Sequence, residues 1–250
     1  MIHIVGESVI KEAQAFNDVR HALEFDCDVY LGAMWHNMIG MRLKDAVIYN
    51  MEPLYDESQL FPIAGYMQTL KENIVIDFSR KNVEYLKQKG IEAFHLPYGY
   101  HPYLERTHAG EKDIDVLFVG SEYYPRRKKL FEEINLHCNF VSARGVYGNE
   151  LDKLISRAKV HLNVHHSQLG QTLETVRLNY LMANHGNIVS EFGNDPELND
   201  AYAKGMRFAE YDELAYACFE ALEHPFDGYE TIRTMPHDCK SANDWVNSRR

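Results

Sequence analysis

Apolar positions along the chain alternate between two arrangements: short dense runs, and longer stretches in which they recur with helical spacing. The dense runs predict strands over residues 2–5, 28–31, 46–49, 74–77 and 91–96. The spaced stretches predict helices over 8–24, 65–71 and 79–89. Gly6 supplies the turn after the first strand, Ser8 offers a side-chain oxygen to cap the helix behind it, and Gly90 stands where a left-handed residue closes a helix. From Leu96 to Asp113 the chain reads LPYGYHPYLERTHAGEKD, which follows neither period and is rich in Pro, Gly and His, as a linker is.

Beyond the linker the alternation resumes. DVLFV at 115–119 is almost wholly apolar, the signature of a strand covered on both faces in a parallel sheet. Pro125 suits the first position of a helix that continues to 134. Strands follow at 139–142, 160–164, 187–190 and 206–209, and helices at 149–159, 173–184 and 212–223. Repeated β-α-β order on both sides of a linker predicts an α/β protein of two Rossmann-like, doubly wound domains facing a central cleft, 1–104 and 105–250. Ligands of open parallel sheets bind beyond the carboxyl ends of the strands. Attention therefore falls on Gly6 and Glu7, residues 50–53, Asp77, residues 120–122, residues 164–167 and Glu191.

Composition narrows the function. The 250 residues, 45% hydrophobic and 25% charged, belong to an ordinary globular chain and exclude disordered and fibrous classes. A formal charge of −11 repels nucleic acid and acidic membranes at long range, so a polyanionic ligand needs a local basic patch. Cys27, Cys138, Cys218 and Cys239 form no C-x-x-C pair and are expected to be reduced thiols. With no basic n-region ahead of the first apolar run and no span-length apolar stretch, the expected location is cytoplasmic, the host cytoplasm if a phage encodes the chain.

Two segments carry candidate chemistry. In DVLFVGSEYYPRRKK, a buried strand runs into the Gly120-Ser121 turn and then a helix start bearing Arg126, Arg127, Lys128 and Lys129. Cations in a first helical turn oppose the helix dipole, and a phosphate held by guanidinium forks and free N–H groups compensates them; a solvated charged face is the alternative. In VHLNVHHSQLGQTLETVRLNY, Glu174 opens a helix with Arg177 one turn on, and a carboxylate there suits the vicinal hydroxyls of a ribose while the N–H groups near Thr172 and Leu173 face a diphosphate. His165 and His166 end the preceding strand as candidates to contact phosphate or a sugar hydroxyl, with a hydrogen-bonded structural role as the alternative. No carboxylate or Cys stands at metal-ligand spacing to them. Tyr98, Tyr100, Tyr103, Tyr123 and Tyr124 offer stacking surfaces for a sugar or base, or ordinary packing. Neither half opens with G-x-G-x-x-G, which disfavours a nicotinamide enzyme.

The segments VIYNMEPL, VIDFSRKNVEYLKQKG, FHLPYGYHP, DVLFVGSEYYPRR, GVYGNELDKLISRAKVHLNVHH and LETVRLNYLMANHGNIVSE, in this order from Ala46 to Glu191, resemble GT-B glycosyltransferases of the group 1 type, as found in small bacteriophage and bacterial enzymes. The resemblance implies a nucleotide-sugar site in the C-terminal half and an acceptor site in the N-terminal half. Arg126 and Arg127 match the family's arginines after the Gly-Ser turn. Glu174 matches the second of two glutamates with seven residues between them, the second of which binds the donor ribose; the first falls on His166, so its role does not transfer. The resemblance also implies metal-independent catalysis without a cofactor, and in such folds a final helix often crosses back to the first domain, a role open to residues 241–249.

The expected activity is transfer of a hexosyl or pentosyl group from a nucleoside diphosphate, UDP above all, to an acceptor hydroxyl. Gly120, Ser121, Arg126, Arg127, His166, Thr172, Leu173 and Glu174 are the candidate donor residues. The acceptor proton needs a base, for which Glu7, Glu52 and His165 are the candidates, with His36 and Asp77 behind them. Phage relatives point to a 5-hydroxymethylpyrimidine in DNA, held locally by Arg42, Lys44, Arg80, Lys81, Arg126 and Arg127; bacterial relatives point to a glycan or surface polymer. A non-catalytic nucleotide-sugar sensor is the competing class.

Overall fold

The computed structural model describes residues 1–55, 63–107, 110–168, 171–235 and 237–250. The chain forms two compact units, Met1–Gly99 with His237–Arg250, and Tyr100–Pro236.

In the first unit, β1 (Ile2–Ile4), β2 (Val29–Leu31), β3 (Val47–Asn50), β4 (Ile74–Asp77) and β5 (Ala93–His95) form a parallel sheet in simple chain order, with α1 (Phe16–His21), α2 (Ile63–Lys71) and α3 (Arg80–Gln88) between strands. β3 and β4 are central, and Val47, Ile48, Tyr49, Val75 and Ile76 are fully buried. Ser79 caps α3 by accepting from the Asn82 N–H, and Gly90 follows with φ 75°. The expected helix over 8–24 is instead a 3-10 turn, Lys11–Ala15, running into the short α1. Ile10, rather than Ser8, precedes it and makes no side-chain cap.

In the second unit, β6 (Ile114–Val119), α4 (Pro125–Asn135), β7 (Phe140–Ala143), α5 (Gly148–Arg157), β8 (Ala158–Asn163), α6 (Thr175–Ala183), β9 (Ile188–Glu191), α7 (Pro196–Tyr202), β10 (Arg207–Ala209), α8 (Leu214–Glu223) and α9 (Tyr229–Arg233) follow one another. The sheet is all parallel, in the order β10-β9-β8-β6-β7. Val116, Phe118, Val160, Leu162 and Val189 pack with Leu130, Ile134 and Leu214 into one core. Phe131 lies 4.7 Å from Phe118 and 4.9 Å from Phe140, ring centre to ring centre. Each fully buried aromatic of this kind stabilises by about 2–3 kcal/mol. α7, which the apolar pattern does not predict, is short and begins with Asp195 capping Leu198 N–H ahead of Pro196.

The first crossing between units falls at Gly99 rather than Leu104. Asn184 explains this: its Nδ2 donates to Leu104 O (2.7 Å) and its Oδ1 accepts from Arg106 N (2.8 Å) and Thr107 N (2.7 Å), so the turn at Pro102–Leu104 is bound to the second unit. At the other end α10 (Cys239–Asn247) returns to the first unit. Asn243 bonds Glu24 O and Asp26 N, both at 3.1 Å, and Trp245 lies 5.6 Å from Phe94. Among the described residues no helix is long and apolar enough to cross a membrane.

Candidate active site

β6 and β8 are neighbours although β7 comes between them in the chain, so strand order reverses at β6. A crevice opens at such a reversal, beyond the carboxyl ends of the two strands. Its walls are Gly120-Ser121 after β6 and residues 164–166 after β8. Gly120 is required by space: a Cβ there would meet Phe118 Cζ at 2.8 Å.

Arg127 spans the crevice. Its Nη1 donates to Ser121 O (2.8 Å), and its Nε and Nη2 donate to Val164 O (3.2 and 2.6 Å). The guanidinium lies 4.9 Å from the Phe118 ring centre and is buried. Burial, reinforced by Arg177 and Arg126 and resisted by Glu174 and Tyr124, brings its pKa down to about 10, so it stays charged at neutral pH.

Arg126 projects to a different partner. Its Nη1 and Nη2 grip Glu191 in a fork (2.8 and 2.7 Å), Nη1 also donates to His165 O (2.7 Å), and the guanidinium stacks 4.1 Å from the Tyr211 ring centre. Glu191, at the end of β9, is a hub: it also accepts from His165 N (3.0 Å) and Gln171 Nε2 (3.1 Å). The four cations of the RRKK run therefore separate by helical phase, with Arg126 and Arg127 turned to the strand ends and Lys128 and Lys129 exposed.

Glu174 immediately precedes α6. Its Oε2 accepts from Asn163 Nδ2 (3.0 Å), and its Oε1 lies 3.4 Å from His165 Nδ1. Asn163 in turn donates to Ser190 Oγ (3.0 Å) and accepts from Arg177 Nη1 (3.0 Å). Burial works against the Glu174 carboxylate, but His165, Arg177 and Asn163 outweigh it and hold its pKa far below the usual range. The side chain keeps 26% of its surface open, against 4% for His165.

The structure thus gathers Gly120, Ser121, Arg126, Arg127, His165, His166 and Glu174 at one end of one sheet. His166 is half-buried with its ring 5.0 Å from that of Tyr124, and burial, then Arg127, lowers its pKa. Thr172 and Leu173 are buried, and residues 171–174 carry no helical turn; α6 begins at Thr175, two residues later than expected, with Thr175 N donating to Leu173 O (2.9 Å). The N–H groups of Thr172 and Leu173 therefore lie ahead of the helix rather than in its first turn. Glu191 as hub and Asn163 as the support of Glu174 escape a sequence reading. Their one signal is a polar residue closing an apolar strand.

The base candidates lie in the first unit, apart from His165. Glu7 is exposed, follows Gly6 (φ 76°) and pairs with Arg20. His36 is buried with both ring nitrogens engaged, Nδ1 with Ala33 O (2.8 Å) and Nε2 with Thr69 Oγ1 (2.9 Å). Glu52 stands past the end of β3 above a buried polar knot. Asp77 accepts there from Asn50 Nδ2 (2.7 Å), Ser79 N (2.8 Å) and Asn82 Nδ2 (3.0 Å). Asn50 and Asn82 also donate to Glu52 O (2.9 and 2.8 Å), and Tyr66 OH donates to Asn50 Oδ1 (2.7 Å). Burial pushes Glu52 up to about 7. Asp77 is pushed up to about 8, its three donors pulling the other way. Among the described residues no group of three or more His, Cys, Asp or Glu side chains is placed to hold a metal ion.

No family profile matches the chain. It is similar to uncharacterized proteins of Acanthamoeba polyphaga mimivirus: L140, 25% identical over 201 residues, covering 76% of this chain and 64% of that protein, and R358, 28% identical over 164 residues, covering 63% and 56%. The chain spans less than two-thirds of the length of these relatives. Among solved structures it resembles TarM (TM-score 0.56, 14% identity, 95% of this chain and 57% of that one). It also resembles AviGT4, a glycosyltransferase involved in avilamycin A biosynthesis (TM-score 0.53, 11% identity, 95% and 88%). A third likeness is to sucrose-phosphate synthase from Thermosynechococcus elongatus (TM-score 0.51, 13% identity, 88% and 68%). The fold is that of the GT-B glycosyltransferases, with two parallel five-stranded sheets.

Proposed function

We propose that the protein is a glycosyltransferase whose second unit holds a nucleoside diphosphate sugar, UDP-linked above all. The observation that carries the reading is the gathering, at the strand reversal, of two guanidiniums and a separate carboxylate, Glu174, that remains partly open. Arg126 and Arg127 supply positive charge for the leaving diphosphate, beside the Gly120-Ser121 turn, the N–H groups near Thr172 and Leu173, and His166. Glu174, ionised and fixed by Asn163, accepts from the two ribose hydroxyls. In this reading the arginines rather than a divalent cation take the diphosphate charge, and no cofactor takes part. The transferred group is a hexose or pentose.

Glu52 is the base this reading favours. A carboxylate near neutrality suits proton abstraction at pH 7, whereas Glu7 is held by Arg20 and His165 is enclosed. The bond from the acceptor oxygen to the anomeric carbon forms as the bond from that carbon to the phosphate oxygen breaks. The electron pair leaves with the nucleoside diphosphate, and the hydroxyl proton passes to Glu52.

The acceptor is a glycan, a surface polymer, or a 5-hydroxymethylpyrimidine in DNA. The −11 charge favours a neutral glycan. Incubating UDP-sugars with hydroxymethylated DNA, unmodified DNA and simple glycans, with mass-spectrometric readout, tests the reading. A sugar adduct with release of UDP is expected. Release of no UDP with any acceptor makes the protein a sensor. Activity that falls steeply with added salt selects DNA, and a flat response selects a glycan.

A further inference from the structure

His165 lies too deep to touch a substrate, and both its nitrogens are spoken for. Its Nε2 sits 3.0 Å from Phe192 O, a group that can only accept, so Nε2 carries a proton. Its Nδ1 faces Glu174 Oε1 at 3.4 Å. A neutral ring with its proton on Nε2 would aim the Nδ1 lone pair at a carboxylate oxygen, whereas an imidazolium aims an N–H at it. The surroundings are those of a cation. Glu174 faces the ring from the residues ahead of α6, and Glu191 and the Phe192 carbonyl face it from the end of β9. Arg126 reaches it from α4 only through the His165 carbonyl, and His166 adjoins it along the chain. Burial lowers the imidazole pKa, and Glu174, then Glu191 and Phe192, reverse this, so that it ends above the ordinary value of 6.5.

We propose that His165 is a positioning residue: an imidazolium clamped between the Phe192 carbonyl and the Glu174 carboxylate, it fixes Glu174 for the donor ribose and makes donor affinity depend on pH. This rests on the donor reading of Glu174 given above. Loss of the proton withdraws one of the carboxylate's supports, leaving Asn163 and Arg177, and removes one positive charge from beside it. Donor binding therefore weakens as pH rises through the His165 titration, while a step that depends on Glu52 gains from the same rise. The two ionisations separate as an effect on KM and an effect on kcat.

Two measurements decide it. In the ligand-free protein, the His165 ring is followed by NMR from about pH 5 to pH 9 in the wild type and in Glu174→Gln. Titration above the histidine norm, moving down in the variant, is expected; an identical midpoint in both overturns the clamp without reference to any ligand. UDP-glucose, whose diphosphate diester does not titrate in this range, is then bound calorimetrically to the wild type and to His165→Gln. The wild type is expected to bind roughly ten-fold more weakly at about pH 8.5 than at pH 6, the equivalent of one charge-assisted hydrogen bond. His165→Gln is expected to show a flat profile at the weaker level. Equal pH dependence in both proteins overturns the inference alone. Absence of binding at every pH overturns the donor reading and takes this inference with it. Should His165→Gln fail to fold, the ring titration and the wild-type binding profile still decide.

Discussion

Both units bury polar side chains at the carboxyl ends of their central strands, yet with opposite electrostatics. In the first, β3 and β4 run side by side in chain order, and the groups beyond them are carboxyls and neutral amides: Asp77, Glu52, Asn50 and Asn82, and among the described residues Asp77 accepts from Asn50, Ser79 and Asn82. Both carboxyls there are pushed toward neutrality. In the second, two guanidiniums lie at the strand reversal, and His165, Arg177 and Asn163 hold the pKa of Glu174 far below the usual carboxylate range. Burial acts the same way in both places; the presence of cations decides the outcome.

The comparison breaks most directly at Arg127. Arg127→Met orphans two main-chain carbonyls in a buried crevice and is expected to cost the second unit about 3–4 kcal/mol, read as faster amide exchange across β6 and β8 with the first sheet unchanged. Asp77→Ala leaves three buried donors unpaired and is expected to cost the first unit about 2–3 kcal/mol, with the exchange pattern reversed. Equal losses in both sheets after either change would mean that the units unfold as one. Glu174→Ala is expected to weaken UDP binding by roughly 1.5–3 kcal/mol, measured by calorimetry; unchanged affinity removes Glu174 from the donor site. Lys128→Ala and Lys129→Ala, on the exposed face of α4, are expected to shift the melting temperature by the equivalent of less than about 0.5 kcal/mol and leave UDP binding as it is.

Acid sharpens the contrast without any mutation. A carboxyl whose pKa rises on folding contributes stability that is complete below its unfolded value and is lost as pH climbs through the folded one. For Asp77 and Glu52 that loss begins near the unfolded values of 3.8 and 4.5 and is complete near pH 8 and pH 7 respectively. Glu174 behaves oppositely: its pKa falls on folding, so its contribution is complete above 4.5 and is lost as pH falls. His165, raised on folding, contributes fully below 6.5 and loses that contribution above its folded value. Lowering the pH from about 6 to about 3.5 is therefore expected to weaken protection of β8 and β9 while that of β3 and β4 holds or rises. Parallel losses in both sheets would dissolve the distinction.

Most of the architecture is legible in the apolar pattern, because a strand covered on both faces must be apolar nearly throughout and a helix must show its period. DVLFV at 115–119 and AVIY at 46–49 read as strands, the latter found one residue later at Val47–Asn50, and Pro125 marks its helix start. The pattern overestimates the helix at 8–24, where a 3-10 turn and a short helix share the period of a longer one, and it passes over α7, which is too short to express a period. The strand-end residues Gly120, Arg126, Arg127, His165 and Glu174 are also found along the chain, since their places after apolar runs are local facts. What each one faces is not local. Arg126 and Arg127 are neighbours in sequence with one chemistry, yet one grips a carboxylate contributed by β9 and the other two carbonyls from β6 and β8. A helix turns successive side chains by about 100°, and the sheet order sets which strand end waits at each direction. The sequence by itself determined which groups could be charged and where the strands end; which charge meets which, and so which carboxyl keeps its proton, was decided only when distant strands were brought side by side, because Coulomb energies and desolvation depend on distance and burial rather than on position in the chain.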